Sequence, residues 1–191
     1  KLRKDQVVKI EDMMRTLSRL KKITKSLLLI SRIENEQYGR TDEVNIYNLI
    51  NEVEEELNHR LEQKHLKYIC NLNKQQVIKN VNKELLFQLF FNLLNNAIKY
   101  NKENGGIEIN EMVSQNQYAI SIKDTGVGIA ENQLPYVFDR FKKSARSGEE
   151  STGLGLSIVS SIAQYHNIEI QVSSTASIET TFTVIFFSEH L

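Results

Sequence analysis

The chain has 191 residues, 40% hydrophobic and 25% charged, the make-up of an ordinary soluble folded chain without low-complexity segments. Lysine plus arginine and aspartate plus glutamate each total 24, so bulk charge draws it to neither nucleic acid nor a membrane surface, and any phosphate recognition must be local. The lone Cys70 excludes an internal disulfide or a Cys-only metal site, no run is apolar enough to span a bilayer, and the basic start from Lys1 to Lys9 lacks a signal peptide's apolar run, all of which point to the cytoplasm.

The first segment, Asp5 to Ile33, contains neither glycine nor proline and sets Ile10, Met13, Leu17, Leu20, Thr24 and Leu27 at alternating three- and four-residue spacing, which predicts a long helix with a seam. Met14, Ile23, Leu28 and Ile30 widen that seam, so it suits a helical hairpin or four-helix bundle better than a two-stranded coil; one core helix of a single domain is the other reading. The polar run Glu34 to Gln37, followed by Gly39 and Arg40 to Glu43, stops the helix, and a domain boundary is expected there, dividing residues 1–38 from 39–191. Strands are expected near Val44 to Ile46, Leu66 to Leu72 and Val77 to Ile78, and helices over Asn48 to Lys64 and Lys83 to Tyr100. Alternating strands follow at Ile107 to Val113 and Tyr118 to Lys123. After a glycine-bearing loop come helices near Val137 and at Gly155 to His166, then closing strands at Ile168 to Val172 and Thr180 to Phe187. Short polar links within the last two strand pairs favour antiparallel hairpins over strand-helix-strand crossovers. The expected fold is α+β: a two-layer α/β sandwich whose mixed, largely antiparallel sheet carries helices on one face, preceded by a long helix.

The helix ending at Tyr100 is apolar on most sides, with Leu86, Leu89, Phe90, Leu93, Leu94 and Ala97 around it. Gln88, Asn92, Asn95, Asn96 and Lys99 fall within about a third of its circumference. A polar stripe on an otherwise buried helix costs a few kcal/mol for each unpaired group unless it lines a polar cavity or a solvated edge. Amide oxygens at Asn92 and Asn96, one turn apart, suit a hard cation or its waters, and Lys99 suits phosphate oxygens. Next, Asp124-Thr125-Gly126-Val127-Gly128-Ile129 leaves a strand directly. Its glycines permit tight turns, and the Asp124 carboxylate can accept from an exocyclic amine such as that of adenine, although a plain turn would use the same residues. Ser151-Thr152-Gly153-Leu154-Gly155-Leu156-Ser157 then presents backbone N–H groups at a helix start, as phosphate sites do. Between the two lie Phe138-Asp139-Arg140-Phe141 and a small, polar stretch from Lys142 to Ser151, either a cover over a ligand or a surface loop. The spacing fits neither a Walker loop nor a dinucleotide fingerprint.

In this order the motifs resemble the catalytic domain of bacterial sensor histidine kinases, within the ATPase superfamily that includes gyrase and the large heat-shock chaperones. The N box resembles Asn92 to Tyr100, the first G box Asp124 to Ile129, the F box Phe138 to Phe141, and the second G box Gly153 to Leu156. The resemblance implies that Asn96 ligands Mg²⁺, that Asn92 and Lys99 meet phosphates or metal, and that these three form the catalytic set. It implies that Tyr100 packs on adenine, that Asp124 binds the adenine amino group, and that Gly126, Gly128, Ile129, Thr152, Gly153, Leu154, Gly155 and Leu156 line pocket and lid. Phe138 and Phe141 would anchor the lid by packing, Arg140 would reach a phosphate, and Thr181 would help hold the base. The first helix is similar to the second helix of the family's dimerisation and phosphotransfer hairpin, down to Leu28-Leu29-Ile30-Ser31-Arg32-Ile33-Glu34.

No histidine of the four fits an H box, since His59 and His65 lie on or just after a polar helix, His166 ends one and His190 is near the carboxyl end. The resemblance therefore implies an ATP-dependent histidine kinase core that uses ATP and Mg²⁺ and passes the γ-phosphate to a histidine outside this chain, on a helix of the same or a partner subunit. A response-regulator aspartate would follow, within a homodimeric parent whose cytoplasmic portion this is. The alternatives are a non-catalytic ATP-binding or dimerisation module and a clamp-type ATPase, the latter needing a glutamate where this helix has Gln88. Asn167, Ser177 and Glu179 stand where the family often turns on glycine.

Overall fold

The computed structural model describes residues 3–142 and 152–191. The first element is one helix, α1 (Lys4–Glu34), as its unbroken three- and four-residue spacing predicts. Ile10, Met13, Leu17, Leu20 and Leu27 on its seam stay at least 37% exposed, whereas Ile30 and Ile33 near its end are buried. That last stretch packs on a later helix, α4 (Gly155–His166).

The remaining elements run β1 (Asp42–Asn45), α2 (Ile46–Gln63), β2 (Lys67–Asn71), β3 (Val77–Val81), α3 (Lys83–Lys99), β4 (Gly106–Val113), β5 (Gln117–Asp124), α4, β6 (Glu169–Thr175) and β7 (Glu179–Phe187). The main sheet has the order β2-β4-β5-β7-β6, and β1 and β3 form a separate two-stranded ladder. Only β2 and β4 run parallel; the hairpins β4–β5 and β6–β7 and the central pair β5–β7 are antiparallel, which is the mixed sheet expected. Near Val137 the chain forms a 3₁₀ turn over Glu131–Tyr136 instead of an α-helix, with Pro135 inside it removing a donor.

Two asparagines start the central helices by accepting a backbone N–H: Asn45 Oδ1 from Asn48 at 2.9 Å for α2, and Asn82 Oδ1 from Leu85 at 3.0 Å for α3. Helix α2 buries a one-sided stripe, Ile46, Leu49, Ile50, Val53, Leu57 and Leu61. Helix α3 packs between α2 and α4 and against β5, and buries Leu85, Leu86, Leu89, Phe90, Leu93, Leu94, Ala97 and Ile98. Each of the Leu, Phe and Ile side chains contributes about 1.5 to 3 kcal/mol of transfer free energy, so α3 is the mechanical centre of the helical layer. The sheet's inner face supplies Ile107, Ile109, Tyr118, Ile120, Ile122, Phe182, Val184 and Phe186 to the same core. Cys70 is half-buried on the edge strand β2, where desolvation pushes its thiol pKa up. Asn167 and Ser177 take the left-handed conformation, at φ 55° and 64°, so the turns keep their shape without glycine.

Candidate nucleotide site

Helix α3 leaves one side uncovered by α2 and sheet, and on that side Asn92, Asn96 and Lys99 are half-buried. Asn92 Nδ2 donates to Gln88 O at 2.7 Å, which turns its Oδ1 toward the start of α4. A Cβ at Gly155 would lie 3.0 Å from that oxygen, so N-box helix and second glycine motif touch here. Asn96 has no side-chain partner among the described residues. Asn95 does: its Oδ1 accepts from Arg60 of α2, which ties it into the helical layer and away from the site. The Lys99 ammonium lies 5.0 Å from the Tyr100 ring centroid.

The loop after β5 closes the other wall. Val127 N–H donates to Tyr100 O at 3.0 Å, and a Cβ at Gly126 would lie 2.4 Å from that same oxygen, so nothing larger than glycine passes between loop and α3. Gly128 has φ +62°, and a Cβ there would meet Thr175 O at 2.2 Å, which makes the β6–β7 turn a direct neighbour. Ile129 N–H donates to Ser174 Oγ at 2.8 Å and Ser177 N–H to Val127 O at 2.7 Å. Asp124, 5% exposed, ends β5 in the middle of this arrangement. Its Oδ1 accepts the Gly126 N–H at 2.9 Å. Burial nevertheless pushes its carboxyl up to about 6, outweighing that N–H, with Glu179 adding a smaller push in the same direction. A buried carboxylate with one donor among the described residues, beside half-buried amides and a lysine, forms a polar wall inside an apolar core.

The profile described as "Histidine kinase-, DNA gyrase B-, and HSP90-like ATPase" matches residues 81–190. The chain belongs to this ATPase family. It is 33% identical over 180 residues to the heme sensor protein HssS of Staphylococcus saprophyticus, a match covering 93% of this chain and 38% of that protein. Its fold superposes with TM-score 0.74 on the Acinetobacter baumannii histidine kinase AdeS, at 25% identity over 98% of this chain and 86% of the other. A second solved structure, histidine kinase ThkA in complex with response regulator protein TrrA, superposes with TM-score 0.73 at 22% identity over 94% of this chain and 50% of that one. The chain thus spans about 38% of the length of the curated relative.

Within this ATPase domain the expected site residues do not all converge. Asn92, Asn96, Lys99, Tyr100, Asp124, Gly126, Gly128, Ile129 and Gly155 belong to the wall just described, whereas Gly153 lies against the backbone of Phe141 and Lys142. Leu154 is buried, and Leu156 packs against the core beside half-buried Thr152. Phe138 packs edge-to-face on Phe182, with ring centroids 6.3 Å apart. Phe141 does not pack: it is 55% exposed with φ +64°, held by its N–H donating to Gly153 O at 2.8 Å. Arg140 pairs with Glu34 at the end of α1. Thr181 stands opposite Lys123 on the outer face of the sheet, and the threonine sharing the face of Asp124 is its cross-strand partner Thr180. A one-residue slip flips a strand residue to the other face, and the inward series Phe182, Val184, Phe186 already marks even positions as inward. Of the cover expected over Lys142 to Ser151, residues 143–151 lie outside the described residues.

Lys64 was not anticipated. Its ammonium donates to Ile98 O, Lys99 O and Asn101 O at 3.0, 2.8 and 3.1 Å, satisfying the carbonyls at the end of α3 just beneath Tyr100. Only its basic character at the end of α2 hinted at this, since the partner helix is remote in sequence. Among the described residues no cluster of histidine, cysteine and carboxylate groups could hold a metal by itself, and no helix is long and apolar enough to cross a membrane.

Proposed function

We propose that this chain is the ATP-binding catalytic core of a two-component sensor histidine kinase. What carries the reading is the buried Asp124 carboxylate, held by a single N–H among the described residues and placed beside the polar stripe of α3. In this reading Asp124 accepts from the adenine amine, Tyr100 packs on the base with Thr180 beside it, and Asn92, Lys99 and the N–H groups at Gly153 and Gly155 face phosphates. An oxygen-only cation with few protein ligands fits Asn96, whose amide oxygen is uncommitted among the described residues. That ion, Mg²⁺, would supply charge neutralisation at the phosphates. The domain's own work is positioning: it binds the base in a buried slot and aims the phosphate end past Asn92 and the start of α4.

His59 and His65 are exposed but lie on or just after the polar α2, outside any H box, and the other two histidines are not suited to accept the phosphoryl group. His166 and His190 are buried, with His190 Nε2 2.8 Å from His166 O and its Nδ1 3.1 Å from Lys79 O. The acceptor would lie on a phosphotransfer helix paired with α1, whose exposed seam supports that pairing, in a homodimeric parent whose cytoplasmic portion this chain forms. The phosphoryl group would pass next to a response-regulator aspartate, a partner class consistent with the regulator bound to the ThkA kinase. Residues 39–191 would be the catalytic domain and 1–38 the second helix of the phosphotransfer hairpin. The chain alone would therefore not autophosphorylate.

Titration calorimetry with ADP and ATP, with and without Mg²⁺, tests this reading on the chain and on Asn96→Ala and Asp124→Asn. Both substitutions are expected to weaken binding by about tenfold or more with the fold intact, since each removes a hydrogen bond or ligand to a charged or buried group. A folded chain that binds neither nucleotide would sink the kinase reading and leave a scaffolding module.

A further inference from the structure

Tyr100 and Asp124 end two different elements, α3 and β5, and the residue after each is joined to the residue after the other. Asn101 is 6% exposed, and its amide makes three hydrogen bonds. Its Nδ2 donates to Gly106 O at 3.0 Å, while its Oδ1 accepts the Lys102 N–H at 3.1 Å and the Thr125 hydroxyl at 3.3 Å. Thr125 Oγ1 accepts the Gly106 N–H at 2.8 Å, and Thr125 N–H donates to Gly106 O at 3.1 Å. The first residue of β4 is thereby clamped by side chains from both neighbours. Packing around the clamp is tight, because a Cβ at Gly105 would lie 2.2 Å from Asn101 Oδ1 and 2.9 Å from Thr125 Oγ1. Two further backbone N–H donors close the ring, Val127 N–H to Tyr100 O at 3.0 Å and Gly126 N–H to the Asp124 side-chain Oδ1 at 2.9 Å.

We infer that Asn101 is a positioning residue for base recognition, acting through Thr125 and Gly106 to fix the separation and orientation of Tyr100 and Asp124. The inference rests on the proposed role of Asp124 toward the adenine amine. A buried amide tied by three hydrogen bonds to two neighbouring segments favours one geometry, and a hydrogen bond to an exocyclic amine is sensitive to displacements well below an ångström. Because Thr125 adjoins Asp124 directly, loss of its hydroxyl releases the carboxylate's backbone while leaving the apolar slot for the ring in place.

The test compares ADP with IDP, whose base has an oxo group in place of the amine, by calorimetry on the chain and on Asn101→Ala, Thr125→Val and Thr125→Ser. The chain is expected to prefer ADP, and Asn101→Ala and Thr125→Val to lose about tenfold of that preference while affinity for IDP changes less than about threefold. Thr125→Ser, which keeps the hydroxyl, should retain the preference. Equal losses for ADP and IDP, or an unchanged preference, overturn the inference and leave Asn101 a purely structural amide. Thr125→Val is nearly isosteric, so it reads the same quantity should Asn101→Ala fail to fold. Asp124→Asn separates the two levels of argument. If the chain prefers ADP and Asp124→Asn abolishes that preference, the base-recognition reading stands, and the Asn101 result judges this inference alone. If the chain never prefers ADP, the reading of Asp124 falls and this inference with it.

Discussion

The two ends of α4 are both polar, yet they are built to opposite specifications. At the C-terminal end, His166 is completely buried and every hydrogen-bonding atom of its ring is used. The Asn82 N–H donates to Nε2 at 3.0 Å, so that nitrogen is the acceptor, and Nδ1–H donates to Ile162 O at 3.0 Å. Tyr165 meets the ring edge-on at 4.9 Å, and Arg40 donates to Tyr165 O at 2.9 Å. At the N-terminal end, roughly 18 Å away along twelve residues, Gly155 faces Asn92, and among the described residues Asn96 lacks a side-chain partner and Asp124 has one donor. The first end spends its polar groups on the protein; the second keeps them for something else. Buried polar groups that are saturated specify structure, and those held in place but unsaturated mark a ligand.

The sharpest way to break that contrast is His166→Ala. It leaves the Asn82 N–H without its acceptor and opens a cavity, so a loss of about 2 to 4 kcal/mol in denaturant unfolding is expected, with ADP affinity of the folded protein unchanged. A comparable loss of affinity would show that the ends are coupled. Burial holds the imidazole down to about 4, below its ordinary 6.5. The unfolded chain therefore takes up the proton first, and this group costs stability as pH falls from about 6.5 through about 4, with no cost above that window.

Asp124→Asn should move the opposite way. Its folded value of about 6 lies above the ordinary 3.8, so the folded chain holds the proton longer, and the group's cost to stability grows as pH rises from about 4 through about 6. Asparagine keeps an acceptor for the Gly126 N–H and carries no charge. The variant should accordingly be more stable than the parent by about 1 to 2 kcal/mol at pH 7, equal near pH 4, and weaker for nucleotide. Equal unfolding midpoints at both pH values would mean that the carboxylate is not strained in the free protein, and would remove the argument that it awaits a ligand.

How much of this contrast was legible beforehand follows from the range of the interactions. The elements came from periods of 3.6 and 2.0, which are local, and the order of strands and helices agrees with the structure from α1 to β7 except near Val137, where a 3₁₀ turn replaces the expected helix. The stripe on α3 was legible because Asn92, Asn96 and Lys99 recur on a helix otherwise apolar. What could not be seen was partnership across the fold. Asn95 sits in the same stripe but is tied to Arg60, Lys64 caps a helix it follows only in space, and His166 meets Asn82 from a segment 84 residues away. The facing of the two threonines was within reach: alternation from Phe182 puts Thr180, and not Thr181, on the face of Asp124.

The smallest expected effect concerns the join between α1 and the domain. Arg140, expected to reach a phosphate, pairs instead with Glu34, and both side chains are about half exposed, at 47% and 52%. Exposed pairs of this kind contribute about 0 to 1 kcal/mol and are screened by salt, so the pair cannot be what holds α1 in place. The burial of Ile30 and Ile33 is a better candidate, because two fully buried isoleucines contribute several times more. Glu34→Gln should therefore shift the unfolding free energy by less than about 1 kcal/mol, with the shift shrinking as salt is raised, whereas Ile33→Ala should cost about 2 to 4 kcal/mol at any salt concentration. Were Glu34→Gln the more damaging of the two, the junction would be electrostatic and the guanidinium held there too firmly to turn toward a nucleotide. The expected order leaves Arg140 weakly held at the edge of the site, where a phosphate could compete for it.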